Sequence, residues 1–147
     1  MWDDKKSIIL SKLSVVIFMA LLVAAAVYAP WLVRQTFIYT DMIGWEMYFL
    51  ITVYTGCVPA ALLLISLFRL LQRIGRGEVF IQKNVNGLRR ISWYCFAGAV
   101  ISAVSVLYYF PWAMVAVAAA FMGLIVRVVK NVFARAVSLQ DDADFTI

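Results

Sequence analysis

The stretch RIGRGEVFIQKNVNGLRRIS, residues 73–92, interrupts a chain that is otherwise almost wholly apolar. What flanks it, and on which side of a boundary it lies, decides the fold. Of the 147 residues, 65 % are apolar and 14 % charged, against about 45–50 % apolar in soluble globular domains. A soluble domain of this size has no interior large enough for that much apolar surface, whereas a bilayer supplies one from outside. The apolar residues are also gathered into runs that match the about 20 residues a helix needs to cross a bilayer. The chain therefore reads as an all-α integral membrane protein forming a single domain over residues 1–147.

Two runs precede the charged stretch and two follow it. The first, residues 8–29, follows Lys5 and Lys6 and resembles a signal peptide, with VYA as a cleavage site. It is longer than the roughly 7–15 residues of a signal core, and Pro30 follows the only plausible cut, so a retained helix is predicted. Proline lacks an N–H and restricts the residue before it, so the helix is expected to end there. A polar connection with Arg34 and Asp41 carries Trp31, Tyr39 and Trp45, aromatics suited to the headgroup level. The second span is placed at 46–71, with a kink at Pro59. The third is placed at 92–109 and the fourth at 112–126, joined by the tight turn YYFPW. Beyond the fourth span Val129, Val132, Phe133, Ala136 and Val137 recur at i, i+3, i+4, i+7 and i+8, opposite Arg127, Lys130 and Arg135. That is the pattern of an amphipathic extension.

Four transmembrane helices in two hairpins put both termini and the loop 72–91 on one side. That side holds Lys5, Lys6, Lys12, Arg69, Arg73, Arg76, Lys83, Arg89, Arg90, Arg127, Lys130 and Arg135, twelve of the 13 basic residues. Only Arg34 is left for the other. Lys and Arg of short loops stay on the cytoplasmic face, so the termini and the central loop are predicted to be cytoplasmic.

Within the central loop, Gly75 and Gly77 are placed to end the second helix. Asn84 is placed to cap the third, its side-chain oxygen accepting an unpaired backbone N–H, so that Asp or Ser there should be tolerated. Val85, Leu88 and Ile91 form one stripe, with Arg89 and Arg90 pointing elsewhere, and Phe80 and Ile81 rest at the interface or on the bundle. One reading makes the loop a topological anchor whose arginines meet anionic headgroups, at about 1 kcal/mol each. The other makes Arg73, Arg76, Phe80, Asn84, Arg89, Arg90, Arg127, Lys130, Phe133 and Arg135 a docking face for a cytosolic partner. Direct nucleic-acid binding is disfavoured, because the basic block is small and lies against the membrane.

Gly77, Phe80, Asn84, Val85, Leu88, Arg89 and Ile91, followed by the third run and GLIVRVVKNVFARAV (residues 123–137), resemble a family of small bacterial membrane proteins. It is catalogued as domain of unknown function 2975. The resemblance covers essentially the whole chain and implies a four-span protein of the bacterial cytoplasmic (inner) membrane. It also implies a neighbouring gene for a small helix-turn-helix regulator of the Cro/repressor type. No catalytic residue or cofactor comes with it.

The residues themselves add exclusions. Cys57 and Cys95 lie at different depths of different spans, too far apart for a disulfide. The sequence contains no histidine and no Cys/carboxylate cluster of metal-ligand spacing, so no metal, haem or other cofactor is expected. Proton-coupled transporters place ionisable groups within their spans, and here the middle of every run is neutral. Thr52, Tyr54, Thr55, Ser66, Ser102 and Ser105 read as interhelical hydrogen-bonding groups, with the lining of a polar seam as the alternative. Gly98/Ser102, Ala99/Ala103, Ala116/Ala120 and Ala119/Gly123 are small-xxx-small pairs that predict a tight pairing of helices three and four. They serve self-association equally well, which leaves a homo-oligomer open. The reading that best joins these features is a non-enzymatic, membrane-bound regulatory protein that recruits a cytosolic transcriptional partner. The alternative is a small transport or immunity protein handling a peptide, lipid or drug.

Overall fold

The computed structural model describes residues 4–38 and 44–145. They form four helices in the order α1 (Asp4–Ile38), α2 (Glu46–Gly75), α3 (Gln82–Ser105) and α4 (Trp112–Phe145), with no strand among the described residues. Tyr39 and Asp41 of the expected polar connection lie outside the described residues. At 1.5 Å per residue, α1 is about 52 Å long and α4 about 51 Å, well beyond the about 30 Å of a hydrocarbon core. The charged ends of both helices therefore reach past the apolar layer.

One expectation about where a helix ends is corrected. Pro30 does not end α1, which continues to Ile38 with the proline inside it. The ring deprives the Ala26 carbonyl of its helical donor, and the Tyr54 hydroxyl of α2 donates to that carbonyl at 2.9 Å instead. α2 stops at Gly75, one of the two glycines expected to end it, and α3 starts at Gln82, two residues before Asn84, which leaves 76–81 as the connection. α2 also runs unbroken through Pro59.

Consecutive helices pack antiparallel, and α1 makes no close backbone contact with α3 or α4. Phe37 near the end of α1 meets Phe49 near the start of α2, edge-on at 5.7 Å. At the other end of this pair, Gly75 faces Ile8 and Lys12, whose Nζ would lie 3.7 Å from a Cβ at that position. The Lys12 ammonium thus sits where the carbonyls of α2 point, a favourable place for a cation. Between α2 and α3, Thr52 Oγ1 and Ser105 Oγ share a hydrogen bond of 2.8 Å, which Tyr108 joins through its own hydroxyl.

The core lies where α2, α3 and α4 meet. Leu70, Leu88, Ile91 and Cys95 are buried there, with Leu63, Leu67, Val126 and Phe133 packed around them. Both cysteines are free. α3 contributes most of the buried side chains, including the predicted stripe Val85, Leu88 and Ile91. α1, α2 and α4 are each long and apolar enough to cross a membrane, and their outward faces expose Phe18, Val27, Val58, Val117 and Phe121. Such a surface is the mark of a multi-pass membrane protein. α3 differs, because Lys83, Arg89 and Arg90 occupy its first turns and the apolar part after Arg90 ends at Ser105. That part is shorter than the about 20 residues of a full crossing.

Candidate docking face and the Arg73–Asn84 clasp

The 76–81 connection is built from a helix stop and a buried amide. α2 ends in a Schellman turn: the Glu78 N–H donates to the Arg73 carbonyl at 3.0 Å and the Gly77 N–H to the Ile74 carbonyl at 3.0 Å. Gly77 has φ +87°, a left-handed conformation that glycine adopts without a Cβ penalty. The turn sends the chain back towards α2, so that α3 starts beside the residues that ended its predecessor.

Asn84 holds this return in place, and not as a cap. The residue preceding α3 is Ile81, which makes no side-chain cap, and Asn84 sits inside the first turn, fully buried. Its Oδ1 accepts from Arg73 Nε at 2.7 Å, while its Nδ2 donates to the carbonyls of Glu78 at 2.8 Å and Val79 at 2.6 Å. The partners fix the amide orientation, since a guanidinium N–H only donates and a carbonyl only accepts. One side chain therefore ties α2, the connection and α3 together. Gly87 makes room for the same guanidinium: a Cβ there would come within 3.2 Å of Arg73 Nη2.

The ten residues of the predicted face divide into groups. Arg73 and Asn84 are turned inward and hold the connection. Phe80 is 46 % exposed and meets Phe133 edge-on at 5.3 Å, which joins the connection to the C-terminal half of α4. Arg76 of the connection, Arg90 of α3 and Arg135 of α4 are exposed. Arg89, Arg127 and Lys130 instead line a common cavity between α3 and α4. Of the predicted stripe on α4, Phe133, Ala136 and Val137 are half-buried, whereas Val129 and Val132 are exposed.

The small residues divide too. Gly123 is buried against the Phe96 ring, 3.0–3.2 Å from where its Cβ would be, and its carbonyl accepts from Ser92 Oγ at 3.2 Å. Gly56 and Gly98 meet nothing within 4 Å. They line a groove of about 300 Å³ in which residues of all the helices face one another, among them Ala25, Thr52, Ser102 and Ala119. The Trp112 indole N–H, buried on the same groove, has no hydrogen-bond partner among the described residues. Sequence reasoning missed this groove, because a small residue that packs and one that leaves space look the same in one dimension.

A family profile with the description "protein of unknown function (DUF2975)" matches residues 9–147, which takes in the helices apart from the start of α1, and with them the clasp and the groove. The chain belongs to the DUF2975 family. No curated protein and no solved structure matches it. The DUF2975 match thus agrees with the resemblance carried by Gly77, Phe80, Asn84 and the 123–137 segment, and brings no activity with it.

Proposed function

We propose that this DUF2975 protein is a non-enzymatic regulatory protein of the bacterial inner membrane that recruits a cytosolic transcriptional partner to its basic end. In this reading α3 spans as well, as the third of four, shortened but packed between α2 and α4, and the helices form two hairpins with both termini cytoplasmic. The observation that carries the reading is the clasp. Asn84 and Arg73 fix the connection so that Phe80 stands against Phe133, with Arg76, Arg90 and Arg135 exposed on the connection, α3 and α4. A rigid surface loses little conformational entropy on binding. Arginines and an aromatic pair also supply the attraction and the anchor that recognition needs. The helix-turn-helix regulator implied by the family's gene neighbourhood is the partner of choice.

The test is localisation and pull-down of that regulator in cells carrying variants. Arg76→Glu/Arg90→Glu/Arg135→Glu should release it, and Phe133→Asn should release it at unchanged charge. Attraction through the arginines should also weaken with salt, the Debye length being about 8 Å at physiological ionic strength. A regulator that stays diffuse beside the unaltered protein, or stays bound to both variants, rejects the reading.

A second reading, a small transport or immunity protein, is favoured by the groove at Gly56 and Gly98 and the unpartnered Trp112 N–H. Gly98→Leu would fill the groove, and should abolish transport or resistance while leaving a bound regulator in place.

A further inference from the structure

We propose that the cavity between α3 and α4 at the basic end is a specific, saturable site for the phosphate headgroup of an anionic phospholipid. The cavity, of about 310 Å³, is lined by Arg89, Ser92, Trp93 and Phe96 of α3 and by Arg127 and Lys130 of α4. Half of its lining side chains are cationic and none is a carboxylate. Cations brought together without a counter-charge repel one another, and an anion seated among them removes that repulsion. Arginine suits phosphate in particular, because its planar fork donates two parallel hydrogen bonds to one phosphate.

The site is formed before anything binds. Ser92 and Phe96 are both fixed on Gly123, one through its hydroxyl and one through its ring. Arg89 lies one turn from Ser92 on α3, and Arg127 one turn from Gly123 on α4. The cationic groups thus project from the most closely joined part of the bundle rather than from a loose loop. At about 30 Å³ per water, the volume exceeds that of a bare phosphate and leaves room for the glycerol that carries it.

The source of the phosphate follows from the rim. Trp93 is 65 % exposed at the cavity, and Leu124 and Val128, on the adjoining stretch of α4, are exposed as well. Apolar surface beside a cationic cavity serves an acyl chain and has no use for a free ion. A tryptophan at that level also suits the membrane interface. The site rests on the reading that this end of the bundle lies at the headgroups, and does not depend on recruitment of a regulator. Arg76, Arg90 and Arg135 take no part in the lining.

The experiment uses the full chain in a mild non-ionic detergent, titrated with phosphatidylglycerol, phosphatidylcholine or inorganic phosphate, with bound lipid counted by native mass spectrometry. One phosphatidylglycerol should be retained in clear preference to phosphatidylcholine. Arg89→Gln/Arg127→Gln/Lys130→Gln should weaken that binding about a hundredfold, at about fivefold for each cation removed. The charge-matched Arg76→Gln/Arg90→Gln/Arg135→Gln should retain it. Trp93→Glu alters an exposed position, gives up only its edge contact with Phe96 and should reproduce the loss even if the first variant misfolds. Equal retention by the two charge-matched variants, or unchanged retention in Trp93→Glu, overturns the site in favour of diffuse attraction. Inorganic phosphate bound where phosphatidylglycerol is not overturns the lipid assignment and makes the occupant a soluble phosphate.

Discussion

Tyr54 of α2 donates to the carbonyl of Ala26 in α1 at the position where Pro30 has removed the helix's own donor. In hydrocarbon no water can take over such a carbonyl, so the partner must come from the protein. Tyr54→Phe should therefore destabilise the α1–α2 pair by about 1 kcal/mol, in the range of measured interhelical hydrogen bonds in membranes. Pro30→Ala restores the helical N–H, and in that background Tyr54→Phe should become nearly silent. Thermal unfolding of the two single variants and the double variant in detergent closes the cycle. Equal losses from Tyr54→Phe in both backgrounds would show that the hydroxyl does something else.

Asn84 offers a test that separates a clasp from a cap. Aspartate is among the best capping residues, but in the clasp it would turn a carboxylate towards the Glu78 and Val79 carbonyls and lose two donors. Asn84→Asp and Asn84→Ala should each cost on the order of 3 kcal/mol, since each leaves buried polar groups unmatched. Hydrogen exchange should accelerate across residues 76–81 as well as in the first turn of α3. Protection retained in Asn84→Asp would reinstate the cap.

Gly123→Ala should cost about 1–3 kcal/mol, the usual range for overpacking, because the new methyl would stand 3.0–3.2 Å from the Phe96 ring. Shortening that ring in Gly123→Ala/Phe96→Leu should recover most of the loss. An additive double variant, measured by thermal denaturation, would mean that the two residues do not meet as described.

Orientation is open to a direct experiment. A fluorescent protein fused after Ile147 should be bright, as only a cytoplasmic fusion is. Alkaline phosphatase fused after Gln35 should be active, as only an exported fusion is. A dark C-terminal fusion would overturn the four-span arrangement, since with an odd number of crossings the termini would lie on opposite sides.

Helix number and sequence position were legible because the apolar runs and the polar gaps between them are one-dimensional signals. The buried stripe Val85, Leu88 and Ile91 was legible for the same reason, as helical spacing places those residues on one face. Pro30 and Asn84 were misread through local rules applied without their partners. Proline ends a helix where nothing else satisfies the freed carbonyl, and Tyr54 lies too far along the chain for its pairing with Ala26 to be read from spacing. Asparagine near a helix start is a good cap by statistics. Its true partner, Arg73, is 11 residues earlier and becomes a neighbour only because the turn at Gly77 reverses the chain. The predicted face was likewise a list of charges, which burial then sorted into residues that hold the connection, residues that line the cavity and residues left outside.

That close backbone packing joins each helix only to the helices before and after it in the chain bears on how the protein is made. α1 waits for α2 alone, α2 and then α3 each find the preceding helix already in place, and α4 closes on a partner synthesised moments earlier. Nothing has to be held open for a distant segment, and contacts so local favour fast folding. Biosynthesis can therefore run as a sequence of pairings in the order of translation. A ribosome paused between α3 and α4 would leave a bound set of helices in the membrane, lacking only the last one and the lipid cavity it completes.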